Sequence, residues 1–372
     1  MQWEVIMSCL TRPATKRSSI FWQRLLKSLS LVLLFSFTHA AQIVEKGIQD
    51  QAFPGAALVV MKENKIVYAK AFGKLTYESE TEVTLDTLFD LASLTKPLVT
   101  AASILKLCDE GSLTLNTPVS RFFPQTNPRI QIHHLLSHTS GLPADIPPWF
   151  KEEEFVTLER DEMLKRIWEF IFDNAAHAEP DRGVVYSDLG YILLGKIVEK
   201  VSGLSLDLFF EQHFVLPLQL ARTTFCPLNK GFPLDEIAPT EVDLFWRNHI
   251  VDGKVHDEKA EVFDGVAGHA GLFSTAYDLA KLVTSINQFS LGWSKDLPKV
   301  EGAQFSSQAF GHLGFTGTSI WIDPEKKLKI IFLTNRVYPT RDNIQIRQIR
   351  RALAQSLLRA NDEIKGQFKD SP

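Results

Sequence analysis

The sequence predicts a protein of mixed helices and strands, with hairpins near both ends and helices between them. Three observations point there. Residues Ala57 to Met61 and Lys65 to Phe72 are rich in β-formers and flank the polar turn Lys62-Glu63-Asn64, which is a hairpin signal. Near the other end, Phe310 to Ile322, a turn at Asp323-Pro324-Glu325-Lys326 and a return strand from Leu328 to Leu333 read as a second hairpin. Helical periodicity fills much of the remainder, and the last such stretch, about Asn343 to Leu358, presents Ile344, Ile346, Ile349, Leu353 and Leu357 toward a sheet. With 372 residues and 45% apolar composition, the chain can bury one large core or two adjoining lobes.

The chain begins with Arg12, Lys16, Arg17, Arg24 and Lys27 ahead of the apolar run from Leu29 to Phe37, which Thr38-His39-Ala40-Ala41 follows. A basic segment, a short apolar run and a small-residue end describe a secretory signal over residues 1–41, and the run is short for a membrane span. An uncleaved membrane anchor and an ordinary first helix continuing to Ile48 are the competing readings. The expectation is an exported protein, periplasmic or held on the outer side of a membrane through this segment alone.

Composition narrows the partners. A formal net charge of -4 with both signs mixed leaves no basic stripe for nucleic acid. A small polar or peptide-like substrate fits better. Cys9, Cys108 and Cys226 show neither C-x-x-C nor Cys/His spacing, which argues against structural zinc or a redox dithiol. Cys108 falls on the apolar face of a helix, and a Cys108–Cys226 pair stays open.

The stretch Leu88-Phe89-Asp90-Leu91-Ala92-Ser93-Leu94-Thr95-Lys96-Pro97 runs into a helical pattern that stops near Asp109-Glu110-Gly111. A serine and a lysine three residues apart at a helix start face the same way, so the amine can reach the hydroxyl. An amine there can take the serine proton or hold its anion during attack on a carbonyl, and the unpaired N–H groups of the helix start favour the same negative charge. Pro97 is tolerated only near such a start. The structural alternative is a capping serine with a solvated lysine.

Further along, Ile132 to Leu142 forms a helix closed by Gly141; His134 and His138 share a face there, but no carboxylate completes a metal site. Residues 150 to 180 are charged and helical. Tyr186 sits on a loop ahead of a helical stretch, open to a ligand or to simple packing. Gly265-Val266-Ala267-Gly268-His269-Ala270-Gly271-Leu272 is a glycine-rich loop where a helix begins, able to approach another backbone or a ligand closely. It lacks the spacing of a phosphate loop.

Taken in order, Ser93-x-x-Lys96, Tyr186-Ser187-Asp188 and His312-Leu313-Gly314 resemble the serine β-lactamase and penicillin-binding-protein superfamily in its class C-like branch. The similarity runs from about Phe53 to the terminal helix. His138-Thr139-Ser140-Gly141-Leu142, Val255-His256-Asp257-Glu258-Lys259-Ala260, Gly268-His269-Ala270-Gly271-Leu272-Phe273 and Gly311 to Thr318 look like low-molecular-weight D-alanyl-D-alanine carboxypeptidases. The fold implied is α+β, an α/β sandwich in which a central antiparallel sheet is flanked by helices. A sheet lobe from about 42–90 and 305–360 would embrace a mostly helical lobe at about 91–304, with the cleft between.

The resemblance implies Ser93 as the acylated nucleophile, Lys96 as its proton partner and Tyr186 as the relay to the leaving group and to water. His312 stands where many relatives have lysine, bearing on the tyrosine or a substrate carboxylate. The backbone N–H groups of Ser93 and Phe315 would form an oxyanion hole. Asp188 and Gly314 would border the substrate, and Arg341 or Asn343 would bind its carboxylate or cap the last helix. The implied substrates are small peptides or β-lactams, peptidoglycan stem peptides among them, and no metal or organic cofactor is called for. Two departures matter. Many relatives have asparagine at Asp188, and an ionised aspartate only accepts hydrogen bonds and favours a charged Lys96. Between Leu282 and Gly311 the chain is short, with Ser290-Leu291-Gly292-Trp293 following closely on a helix, so a piece of the cleft rim is missing. An esterase or small-amide hydrolase of the same fold, and a non-catalytic muropeptide- or β-lactam-binding protein, are therefore the alternatives.

Overall fold

The structure is a computed structural model that describes residues 37–147, 152–285, 291–296 and 304–369. The basic segment and most of the apolar run at the N-terminus, Cys9 and Ser290 lie outside the described residues. Helix α1 covers residues 37–49, so the boundary expected after residue 41 falls inside it, and Ala40 and Ala41 are buried. None of the described helices is long and apolar enough to cross a membrane.

Two strands follow, β1 (Gly55–Lys62) and β2 (Lys65–Gly73), antiparallel across the expected turn. Three more come from the far end of the chain: β3 (Phe310–Leu313), β4 (Ser319–Asp323) and β5 (Leu328–Thr334). They form one antiparallel sheet in the order β2-β1-β5-β4-β3, with Ala56 opposite Thr334 and Lys62 opposite Leu328 at its centre. The first arm of the second hairpin is thus not one strand. Gly314 N–H donates to the Thr318 carbonyl at 2.7 Å and turns the chain, so Phe310–Leu313 pairs back on Ser319–Asp323.

Alternation along these strands builds two cores. Ala57, Val59, Met61, Ile320, Ile322, Ile331 and Leu333 face the helical lobe, while Ala56, Leu58, Val60, Trp321, Leu328, Ile330 and Phe332 face the terminal helices. Because both faces are covered, β1 and β5 read as continuous apolar runs. The terminal helix, Ile346–Lys369, starts three residues later than expected and runs longer. Ile346, Leu353 and Leu357 pack on the sheet, but Ile344 is exposed because the Asn343 side chain accepts from Gln345 N–H and holds that stretch as a turn ahead of the helix.

Inserted between the two halves of the sheet are the helices of the other lobe. Ala102–Asp109 becomes α2, led by a π-helical turn from Lys96 to Ala101; α3 is Asp188–Ser202, and α4 is Ala276–Ser285. The glycine-rich loop enters a short strand, Leu272–Ser274, rather than a helix; the helix begins two residues beyond it. That strand pairs with Phe89–Asp90, tying the loop to the chain just ahead of Ser93. Cys108 and Cys226 are both free, and Cys108 is only partly buried.

Candidate active site

Ser93 lies in a single 3-10 turn, Ala92–Leu94, that leads directly into the Lys96 turn. Ala92 adopts φ 47°, a region costly for a residue with a Cβ. Buried Asp90 holds it there: its Oδ1 accepts from Ala92 N–H at 2.8 Å, and its Oδ2 from His256 N–H at 2.7 Å. From the strand side, Thr316 Oγ1 donates to the Asp90 carbonyl at 2.6 Å and Thr318 Oγ1 to the Leu91 carbonyl at 3.1 Å. A Cβ on Gly314 would stand 2.4 Å from the Leu91 oxygen, so only glycine lets the strand end come this close. The turn that carries Ser93 is therefore clamped between β3, the His256 loop and the glycine-rich loop, whose Leu272 carbonyl accepts from Leu91 N–H.

Lys96 is completely buried, and its ammonium meets Ser93 Oγ at 2.9 Å, Asp188 Oδ1 at 2.7 Å and the His269 carbonyl at 3.1 Å. The Tyr186 hydroxyl also bonds to it, so every donor of the ammonium meets an acceptor and the charged form is fully satisfied. Burial pulls the Lys96 amine down, but Asp188 and Tyr186 outweigh it and the net shift is upward. This is the effect expected of an aspartate at position 188. Burial pushes the Asp188 carboxyl up, and Lys96 and Lys259 more than reverse that, holding it ionised.

Asp188 is the first residue of α3. Ser187 caps the helix, its Oγ accepting from Gly190 N–H at 3.3 Å, which fixes Asp188 in the first turn. Ahead of it Tyr186 is 45% exposed at the cleft mouth, its ring 4.9 Å from the Lys96 nitrogen. The ring also lies 4.5 Å from that of His138 and 5.9 Å from that of His312. The histidines are structural partners of this loop. His138 Nδ1 accepts from Ser187 N–H at 3.0 Å, while His134 caps its own helix and meets Asp181. Burial, followed by the Lys96 charge, pushes His138 down to about 4.

His312 on β3 is buried, and burial together with the Lys96 charge pushes it down to about 3. It is neutral at ordinary pH and cannot supply the positive charge of a lysine in its place. The two residues expected to bind a carboxylate are otherwise engaged. Arg341 borders the cleft, but it donates to Glu241 at 2.8 Å and to Glu258 at 2.7 Å. The Asn343 side chain donates to the Gln51 carbonyl at 2.7 Å, tied to the chain between α1 and β1. Cations do reach the cleft from elsewhere. An open cavity of about 670 Å³ is lined by Ser93, Tyr186, His312, Gly314 and Phe315 and walled by Arg336, Arg347, Arg350 and Arg351. Arg336 Nε donates to the Phe315 carbonyl at 2.8 Å and its guanidinium covers the Phe315 ring, fixing the strand end whose N–H was expected to face an oxyanion.

Residues that spacing did not single out complete the site. The Lys259 ammonium lies 2.9 Å from Asp145, 3.3 Å from Asp188 Oδ2 and 3.4 Å from Asp257, and Asp257 also meets His269 Nε2 at 2.9 Å. Among the described residues, Asp188, Asp257 and His269 form the one group close enough to surround a cation, and their carboxylates already hold this ammonium.

A serine Oγ joined to a buried lysine, beside a tyrosine at the mouth of a cleft between a sheet and a helical lobe, is the arrangement of a serine hydrolase of the acyl-enzyme type. Comparison with known proteins agrees: residues 40–355 match the family model for beta-lactamase, and the chain belongs to that family of serine hydrolases. The chain is 34% identical over 356 residues to the N-acetylmuramyl-L-alanine amidase of Bacillus subtilis (strain 168), covering 79% of this chain and 80% of that one. It is 32% identical over 346 residues, covering 77% and 79%, to an Escherichia coli (strain K12) protein provisionally named D-alanyl-D-alanine carboxypeptidase. Among solved structures, EstCE1, a hydrolase with promiscuous acyltransferase activity, superposes with a TM-score of 0.65 at 20% identity over 86% of this chain and 99% of that one. The octameric penicillin-binding protein homologue from Pyrococcus abyssi gives 0.60 at 24% identity, over 86% and 76%. At these identities the two structures bear on the fold alone.

Proposed function

We propose that the protein is a serine peptidase or amidase of cell-wall peptides, acting as a D-alanyl-D-alanine carboxypeptidase through a Ser93 acyl-enzyme. The observation that carries this is the Lys96 ammonium bonded at once to Ser93 Oγ and Asp188. In this reading Ser93 Oγ bonds to the substrate carbonyl carbon while its proton passes to the Lys96–Tyr186 pair in the form that is one proton short. The backbone N–H groups of Ser93 and Phe315 receive the carbonyl oxygen as it gains charge. The pair then hands the proton to the leaving amine as the C–N bond breaks, and water repeats the sequence to free the acid and Ser93.

The walls of the cleft support a substrate class. With His312 neutral, Arg341 engaged, and Arg336 and Arg350 bonded to backbone carbonyls, a terminal carboxylate on the leaving side is met by the exposed Arg347 and Arg351 of the arginine wall, a side chain that suits planar anion recognition. The names of the two sequence relatives, which concern muramyl and D-alanyl peptide bonds, support the same substrate class. The basic and apolar N-terminal segment supports action on the exported side of a membrane, where such peptides occur.

Intact-protein mass spectrometry with a penicillin, followed over time, tests the reading. A Ser93-linked adduct that Ser93→Ala abolishes, together with release of D-alanine from a D-alanyl-D-alanine peptide, is the expected result. Labelling of Ser93→Ala equal to that of the wild type would overturn it. Turnover of p-nitrophenyl esters alone would assign the fold to an esterase instead.

A further inference from the structure

We propose that Lys259 is a positioning residue for the Ser93 reaction, sharing the Asp188 carboxylate with Lys96 so that the Lys96–Tyr186 pair gives up its proton more readily. The inference rests on the serine-hydrolase reading above.

The geometry is a relay of alternating charges. Asp188 offers Oδ1 to Lys96 and Oδ2 to Lys259, and Lys259 in turn contacts Asp145 and Asp257. Lys259 is 9% exposed and Asp188 16%, so these charges act through protein rather than bulk water. An aspartate that served Lys96 alone would hold a proton on it tightly. A second ammonium on the same carboxylate draws off part of that field, and its own positive charge opposes a charged Lys96. Other neighbouring groups enter this balance, among them Tyr191 of α3, whose ring lies 5.9 Å from the Lys96 nitrogen. Tyr186 and His138 face Lys96 from the loop and turn beside α3, His312 faces it from β3, and Asp257 and His269 face Asp188 from the opposite side. Burial and the Lys96 charge hold His138 and His312 neutral, and Lys259 sets a second ammonium against the Asp188 carboxylate beside that of Lys96.

The position is built for this purpose. Asp257 caps the short helix that carries Lys259, its Oδ1 accepting from Ala260 N–H at 2.9 Å and from the His269 ring. The His269 carbonyl, in turn, is the third acceptor of Lys96. The loop that holds Lys259 and the loop that holds Lys96 are therefore one unit.

The test is the pH dependence, from about pH 6 to pH 10, of Ser93 labelling by a fluorophosphonate, read as adduct mass. In Lys259→Gln the rising limb should move to higher pH by about one unit, the lower end of the effect of a nearby charge, with its plateau height kept. Lys259→Arg should restore the wild-type position. Asp145→Asn, a change at a half-exposed side chain, should move the limb the other way, because it removes a negative charge and leaves Lys259 to Asp188 and Asp257. In an Asp188→Asn background, Lys259→Gln should move the limb by less than it does in the wild type. A uniform drop at every pH in Lys259→Gln, or an unmoved limb in both Lys259→Gln and Asp145→Asn, would overturn this role while Ser93 labelling of the wild type keeps the hydrolase reading intact. No wild-type adduct at any pH would overturn both.

Discussion

Thr316 reaches across 226 positions of sequence to donate its hydroxyl to the carbonyl of Asp90 at 2.6 Å. That bond couples the turn after β3 to the turn that carries Ser93, so the oxyanion side and the nucleophile side of the cleft share one fastening. Thr316→Val keeps the shape and removes the donor. The expected cost is about 1–2 kcal/mol of stability, measured by urea unfolding. Ser93 acylation should slow by about 10- to 100-fold, since a displacement of the reacting atoms is felt strongly. Wild-type acylation in this variant would show that the bond serves stability alone.

Gly268 packs against α3 so closely that a Cβ would stand 1.9 Å from the Tyr191 carbonyl oxygen. Backbone meets backbone there, and neither can rotate away. Gly268→Ala should therefore push the loop outward at a cost of about 1–3 kcal/mol and carry the His269 carbonyl off Lys96. Thermal unfolding reads the first effect and penicillin acylation the second; an unchanged melting temperature would contradict the packing.

At position 312 the chain has a buried, neutral histidine. His312→Lys would set a second ammonium in a buried place that already feels Lys96. A loss of about 3–5 kcal/mol is expected, the range for an uncompensated buried charge. Thermal unfolding of the variant decides this, and equal stability would mean that a carboxylate on hand can pair with it.

The Glu241 carboxyl is pushed up by burial but pulled further down by His256 and Arg341, to about 2. A folded value below the unfolded one contributes stability that is complete above the unfolded value, roughly 4.3, and is lost as pH falls toward the folded one. Melting temperature plotted between about pH 5 and pH 2 should fall less steeply in Glu241→Gln than in the wild type. Parallel lines would show that Glu241 carries none of the acid sensitivity.

Local chemistry was legible in the sequence, and distant partnership was not. Ser93 and Lys96 are three apart on a helical turn, so spacing alone places that pair, whereas Tyr186 and Asp188 were legible only through the family resemblance. Asp188 was also readable as a residue that would charge Lys96, because an ionised carboxylate has one electrostatic sign wherever it is buried. Lys259 lay in a segment that carried the family resemblance but had no role there; its contact with Asp188 depends on how two loops fold onto α3. Arg341 and Asn343 looked like carboxylate binders because of their place after the last strand. Glu241, Glu258 and Gln51, which occupy them, are far away in sequence. The one-strand reading of Phe310 to Ile322 failed at Gly314, where a close approach to Leu91 requires a turn that composition does not announce.

The central pairing of β1 with β5 also sets an order of events during biosynthesis. Ala56 leaves the ribosome early and has no partner on that side until Thr334 follows it out. Throughout that interval β1 presents an unpaired apolar edge, and the Ser93 turn lacks Thr316 and Thr318 to hold it. A hydrolase assembled this way is inert until β5 has been made, and a chain cut short before β5 would be both inactive and prone to pair with its neighbours.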